Sequence, residues 1–304
     1  MGPSFLPLHY WTGVREALEA LGCRIIITKV PRAADISVRA TALKNMLEQR
    51  LEPGEEVNLV GHSMGGLDCR YMISKLLPEA AKKGEVPFKV KSLTTISTPH
   101  HGSSIASFAN ITTFFTPLTT LLAKSPSLDF RAFLQLTPTY LSETFTPQTP
   151  NDPSVAYFSY GADATRQFEK LNPIVKVAYP MFWTWEYLGT VEGPNDGLVS
   201  VESARWGEYI RTLDADHVDL INLFNQWKWE AALKAANVSK TVGDAAGAVA
   251  GAVGAGDKAE QAKEAGRMSK KEVEMDLKKD EEKKQFNAIM LYLEIATMLA
   301  DRGF

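Results

Sequence analysis

The run Val57-Asn58-Leu59-Val60-Gly61-His62-Ser63-Met64-Gly65-Gly66, with the helix-like stretch Leu67 to Leu77 behind it, decides the fold. An apolar segment leads into a glycine turn around a serine, and a helix leaves the turn at once. Strand, sharp turn and helix is the setting in which a G-x-S-x-G match becomes a nucleophile elbow. Its requirement is steric: the serine sits in strained backbone, and small residues at Gly61 and Gly65 let strand and helix approach closely. Three fixed positions alone recur by chance in a long chain; the flanking strand and helix separate this match from an accident.

Outward from this turn the chain alternates. Trp11, Val14, Leu18 and Leu21 recur at helical spacing and Gly22 stops them, which predicts a helix over Tyr10 to Leu21. Cys23 to Val30, rich in β-branched residues and ended by Pro31, reads as a strand. Ile36, Ala40, Leu43, Leu47 and Leu51 mark a second helix face, closed by Pro53-Gly54. On the far side, Phe88 to Ser97 supplies a strand whose end, Ser97-Thr98-Pro99-His100-His101-Gly102-Ser103, is where a parallel sheet places functional loops. Alternation at this spacing predicts right-handed βαβ units, a mostly parallel sheet and an α/β fold.

From Ser103 to Pro150 the pattern changes. Phe108, Ile111, Phe115, Leu118 and Leu122 share one helical face, and Pro117 interrupts it, so the segment is either an amphipathic lid or a kinked core helix. Its length for a connection between sheet elements favours a functional insertion. Val155 to Tyr160 resumes strand character, and the aromatic run Phe182 to Tyr187 either lines a pocket or fills a core. Beyond Trp229, Ala245 to Gly256 is nearly all alanine, glycine and valine, and Asp257 to Lys284 is dense in lysine and glutamate, a solvated linker or charged helix. Phe286, Ile289, Leu293, Ala296 and Leu299 then form an amphipathic helix ending at Gly303, expected to dock on the main domain, with a membrane-surface role as the alternative.

The composition of the 304 residues, 45% hydrophobic and 23% charged, is that of a globular protein, and a net charge of −3 gives no general pull toward nucleic acid. Cys23 and Cys69 read as buried thiols rather than a disulfide framework. The first residues lack the basic start and long apolar core of a signal peptide, so targeting is unreadable here. Triplets at Asn110-Ile-Thr and Asn237-Val-Ser would be glycan acceptors only in a secreted chain.

Ser63 needs a base within hydrogen-bond reach, and the base needs an acid to fix its tautomer. In sheet hydrolases with such a turn the chain order is serine, acid, histidine. His9 lies upstream, His62 is locked on the turn, and His100 and His101 precede any acid in a suitable loop, leaving His217 in Asp214-Ala215-Asp216-His217-Val218-Asp219. Asp196, in the turn Pro194-Asn195-Asp196-Gly197 before the apolar Leu198-Val199, is the candidate acid, although Asn-Asp-Gly is also simply a turn sequence. Asp214 and Asp216 are rivals too near His217 to reach its far nitrogen from a separate loop.

The elbow, the Ser97 to Ser103 run, Asn195-Asp196-Gly197-Leu198-Val199 and His217-Val218-Asp219 together resemble the α/β-hydrolase true lipases, closest to fungal triacylglycerol lipases related to the bacterial secreted family. The resemblance runs from about Gly2 to Trp229 and returns at Phe286. It implies an α/β-hydrolase domain over residues 1–236 with a lid at about 103–150, an insertion over 237–285, and a C-terminal helix over 286–304 packed on that domain. It further implies hydrolysis of acylglycerol or other lipid esters at a lipid–water interface, with Ser63 as nucleophile, Asp196 as acid and His217 as base, no required cofactor and an intracellular, mitochondrial location. Bacterial relatives hold a structural calcium through an aspartate two residues after the histidine, a position matched here by Asp219, while a second calcium aspartate has no match.

One departure matters. In the family a strand ending in a His-Gly oxyanion loop precedes the counterpart of Gly2-Pro3-Ser4, and here nothing precedes it. The backbone amide of Met64 is then one oxyanion donor and the second is missing, a loss of about 10²–10³ in rate. The absent strand belongs between Ile25-Ile26-Ile27 and the elbow strand, which predicts two unpaired strand edges. The expectation is a truncated form of a longer lipase, its targeting signal lost with the missing segment. The alternatives are a lipase-like lipid- or partner-binding protein without catalysis, and an acyltransferase that passes the acyl group to an alcohol.

Overall fold

The computed structural model describes residues 11, 13–31, 34–85, 87–107, 131–170, 180–222 and 286–304. Within these, β1 (Glu56–His62), β2 (Lys89–Ile96), β3 (Ala156–Ala162) and β4 (Glu208–Leu213) form one sheet in the order β1-β2-β3-β4. Every neighbouring pair is parallel. The register sets His62 beside Ile96, Ile96 beside Tyr160, and Ala162 beside Leu213, so the segments that follow the four strands leave from one edge of the sheet. That edge is where an open parallel sheet carries its chemistry.

Helices cover both faces. On one, α1 (Val14–Ala20) and a C-terminal helix (Ala288–Asp301) pack Val14, Leu291, Tyr292, Ile295 and Leu299 against Ile96, Phe158, Tyr160 and Leu213. On the other, α2 (Ile36–Glu48) and α3 (Met64–Tyr71) bring Ala40, Leu43, Leu47 and Cys69 onto Leu59, Val90 and Leu93. Residues of opposite parity along β2, Leu93 and Ile96, therefore face opposite layers. β2 is buried on both faces although Ser92, Thr94 and Thr95 stand among its apolar residues. α3 continues without a break through a π-helical turn, Met72–Leu76, into α4 (Leu77–Lys82).

The C-terminal helix docks as its spacing predicts. Asn287 caps it, its side chain accepting from the amides of Ile289 and Met290. Glu294 takes both guanidinium contacts of Arg211, at 3.0 and 2.6 Å, and Arg302 pairs with Glu208 at 2.6 Å, so the helix is tied along β4. Among the described residues no helix is long and apolar enough to cross a membrane.

Two expectations need correction. The segment Cys23 to Val30 is not a strand. β-branched residues favour extended backbone, but a strand exists only where a neighbour offers a ladder. Here guanidinium groups take that place: Arg15 donates to the Ile25 carbonyl at 3.3 Å and Arg50 to the Ile27 carbonyl at 3.0 Å, while Ile26 and Val30 lean on the α2 cluster. Among the described residues β1 pairs with β2 alone, and Val60 on it is 38% exposed. Cys69 is buried as expected, but Cys23 is only half-buried.

Of the 103–150 segment, the part with the apolar face Phe108 to Leu122 lies outside the described residues. Residues 123–130 lie outside them as well, and the described part beyond contains the helical pieces Arg131–Leu134, Pro138–Tyr140, Leu141–Phe145 and Thr146–Gln148. Leu141 and Phe145 are buried against Ile36 and Leu67, so this portion packs as core over α2 and α3. The aromatic run Phe182 to Tyr187 lies in the helix Pro180–Val191, where Met181 is buried with Phe168 and Ala164, and Phe182 and Trp185 pack against them. Residues 237–285, the expected insertion, lie outside the described residues.

Candidate active site

Ser63 sits between β1 and α3 with φ 54° and ψ −134°, a conformation that L-residues adopt only when surrounding structure enforces it. Two hydrogen bonds enforce it. Its amide donates to the Ile96 carbonyl at 3.0 Å, and the Thr98 hydroxyl donates to its carbonyl at 2.8 Å, so β2 and the loop after it grip both sides of the serine. A Cβ at Gly61 would lie 2.8 Å from Gly66 Cα, and one at Gly66 would lie 2.2 Å from Thr98 Oγ1. A Cβ at Gly65 would meet nothing within 4 Å. The close approach thus falls on Gly61 and Gly66, whereas the motif pointed to Gly61 and Gly65. Met64, the expected oxyanion donor, opens α3, where first-turn amides have no partner within the helix and the dipole favours negative charge.

The helix behind the serine carries two buried charges. Asp68 meets Arg39 of α2 in a bidentate pair, with Nη2 to Oδ2 at 2.7 Å. Arg70 has no carboxylate; its guanidinium lies 3.5 Å over the Trp206 ring and 3.2 Å from His100 Nδ1. Burial pulls Arg70 down to about 9 and, with the Arg70 charge adding, holds His100 well below the ordinary histidine range. His100 also stacks on Trp206, with ring centres 5.2 Å apart. It is therefore part of the packing behind the elbow.

Asp196 and His217 meet as the sequence expects. His217 Nδ1 lies 2.7 Å from Asp196 Oδ2, and both side chains are buried. The other carboxylate oxygen, Oδ1, accepts from the amides of Leu198 at 2.9 Å and Val199 at 2.8 Å, and the His217 amide donates to the Asp196 carbonyl at 3.0 Å. Asn195 completes the turn by accepting from the Gly197 amide and donating to the carbonyls of Trp185 and Gly193. Asn195 and Asp196 thus form the turn that the sequence suggests, and the same Asp196 carboxylate reaches the imidazole. The rivals are occupied elsewhere: Asp216 caps its own loop through the amides of Val218 and Asp219, and Asp214 pairs with Arg166 at 3.5 Å.

His62, the chain neighbour of Ser63, brings the two halves together. Its ring lies 4.5 Å from that of His217, centre to centre. Burial, with the adjacent His217 adding, holds His62 well below the ordinary range, so it is neutral near pH 7. Asp219 accepts from Gln167 Nε2 at 3.0 Å, and among the described residues no group of three or more His, Cys, Asp or Glu side chains is placed to hold a metal ion. His9 lies outside the described residues.

Sequence reasoning missed Thr98, the Arg39–Asp68 pair and the Arg70 cluster. A signal existed for the last two: Asp68 and Arg70 stand among the buried Leu67, Cys69 and Met72, and charges on a core-facing stretch need partners.

A parallel sheet with a strained serine between strand and helix, and a carboxylate–imidazole pair on loops at the same edge, defines an α/β hydrolase. Residues 35–136 match the family model described as a PGAP1-like alpha/beta domain. The chain is 37% identical over 251 residues to triacylglycerol lipase 2 of Saccharomyces cerevisiae, covering 79% of this chain and 71% of that protein. It is 27% identical over 254 residues to the triacylglycerol lipase of Pseudomonas fragi, covering 70% and 82%. The Staphylococcus hyicus lipase structure shares the fold, with a TM-score of 0.57 at 18% identity over 82% of this chain and 92% of that one. The chain belongs to the α/β-hydrolase family of triacylglycerol lipases.

Proposed function

We propose that this chain hydrolyses acylglycerol carboxylic esters through an acyl-enzyme on Ser63, with His217 as general base and Asp196 as the acid that orients it. The observation that carries the reading is the 2.7 Å contact between His217 Nδ1 and Asp196 Oδ2. A carboxylate there accepts the Nδ1 proton and leaves the lone pair of the imidazole on Nε2, the form a general base requires. In the reaction Nε2 takes the Ser63 hydroxyl proton as Oγ bonds to the ester carbonyl carbon. The tetrahedral oxyanion is met by the Met64 amide, and collapse breaks the carbon–oxygen bond to the alcohol, which leaves with the proton from His217. Water, deprotonated by the same nitrogen, then releases the fatty acid and restores Ser63. The substrate class is supported by the printed names of the relatives, triacylglycerol lipases of yeast and of bacteria.

The test is fluorophosphonate labelling of Ser63 together with fatty-acid release from emulsified triacylglycerol, with Ser63→Ala as control. Labelling and hydrolysis that both vanish in Ser63→Ala are the expected result. An unlabelled protein that still binds lipid overturns catalysis, and transfer of the acyl group to a competing alcohol at the expense of free acid overturns hydrolysis in favour of acyl transfer.

A further inference from the structure

The turn that follows His217 is fixed by groups that take no part in the chemistry. Within the loop, Asp216 holds the amides of Val218 and Asp219. The next two carbonyls are held from outside: the buried Tyr292 hydroxyl donates to Leu220 O at 3.0 Å, and the Trp11 amide donates to Ile221 O at 3.2 Å. The same side chains form a column of rings. Tyr292 meets Trp11 edge to face at 4.9 Å, Trp11 meets His62 edge to face at 6.4 Å, and His62 lies 4.5 Å from His217. Among the described residues His62 Nε2 is buried with no hydrogen-bond partner.

The helix that supplies Tyr292 has its own anchors. Glu294 and Arg302 bind Arg211 and Glu208 on β4. The helix is therefore seated on the sheet, and the phenol reaches from that fixed seat to the loop. Both ends of the histidine turn are then restrained, one by Asp196 and the other by the ring column.

We infer that Tyr292, acting with Trp11 and His62, is a positioning residue that holds His217 at its working orientation, an inference that rests on the hydrolase reading above. Without the hydroxyl, the Leu220 carbonyl loses its buried partner and the turn gains freedom, while the helix stays docked through Glu294 and Arg302. The imidazole then spends less time aligned, which slows proton transfer and leaves substrate binding untouched.

The experiment uses the full chain with p-nitrophenyl butyrate and a fluorophosphonate, at a temperature where circular dichroism shows every variant folded. Tyr292→Phe is expected to lower kcat about tenfold at unchanged KM and to slow Ser63 labelling by the same factor. Trp11→Leu, which shortens the column from the other side, is expected to lower kcat about threefold, again without a change in KM. Glu294→Gln weakens the seat of the helix and should lower the melting temperature while kcat stays within about twofold. Unchanged kcat in both Tyr292→Phe and Trp11→Leu overturns the inference, as does an equal loss in Glu294→Gln, which would make the effect one of general stability. Absence of labelling in the unmodified protein is a distinct result: it overturns the hydrolase reading and this inference with it.

Discussion

Around Ser63 the backbone is held by contact distances: a Cβ at Gly61 would lie 2.8 Å from Gly66 Cα, and Thr98 closes the remaining space. Around Asp196 and His217 the two loops are linked through one carboxylate, one oxygen on the amides of its own turn and the other on the imidazole. The serine side is a packing problem with one solution. The acid–histidine side is a hydrogen-bond network that keeps its shape as long as its acceptors remain. Damage to the first should therefore appear as lost stability, and damage to the second as lost rate in a folded protein.

The sharpest break is Asp196→Asn. The amide oxygen can still accept from Leu198 and Val199, so the turn survives, but an NH2 group now faces His217 Nδ1 and imposes the wrong tautomer. A fall in kcat of about 10⁴-fold is expected with little change in thermal melting. Loss of the folded state instead would show that the carboxylate charge holds this side together.

On the serine side, Gly66→Ala puts a methyl 2.2 Å from Thr98 Oγ1 and 2.7 Å from its Cγ2. A loss of about 3 kcal/mol in urea unfolding is expected, with part of it restored when Thr98→Ala is added, because Oγ1 and Cγ2 leave while Thr95 Cγ2, at 2.9 Å, remains. Gly65→Ala, facing open space, should shift stability by no more than about 0.5 kcal/mol. Similar costs at the two glycines would refute the packing account.

The smallest effect asks whether the serine side also has an electrostatic part. His62 and His100 are buried and held neutral, so their folded values lie below the unfolded value of about 6.5. As pH falls through that value the unfolded chain takes up protons first; the stability they contribute is complete above it and is lost on acidification. Asp68, pushed up to about 6 by burial, acts with the opposite sign, its contribution present at low pH and lost as pH rises from about 4. His100 is isolated by difference: between pH 6.5 and 5.5, stability measured by urea unfolding should fall less in His100→Asn, by about 1 kcal/mol over that pH unit. Parallel slopes would mean that His100 titrates in the folded protein as it does in the unfolded chain.

What the sequence made legible follows from the same contrast. The elbow reads directly because glycine spacing is a local demand, and strand and helix flank it within twenty residues. Asp196 and His217 read through chain order, a regularity of sheet topology rather than of local chemistry. The strand reading of Cys23 to Val30 failed because β-branched residues report a preference for extended backbone and say nothing of whether a partner lies alongside; Arg15 and Arg50 took the carbonyls instead. The crowding at Gly66 rather than Gly65 depends on Thr98, thirty-two residues further on, which no motif around Ser63 encodes. The Trp11, His62 and Tyr292 column draws on three distant parts of the chain, and no local pattern announces it.

The strand order has a consequence for synthesis. Each strand is laid beside the one made just before it, so β1 to β4 can assemble in the sequence in which a ribosome delivers them. Tyr292 reaches back 72 residues to Leu220, and Arg302 reaches back 94 to Glu208, so these contacts form only after all four strands have been made. A nascent chain can thus complete its sheet and its serine turn while the histidine loop still lacks its outer brace. On the positioning role inferred for Tyr292, the histidine loop gains that brace only once the helix Ala288–Asp301 has been made.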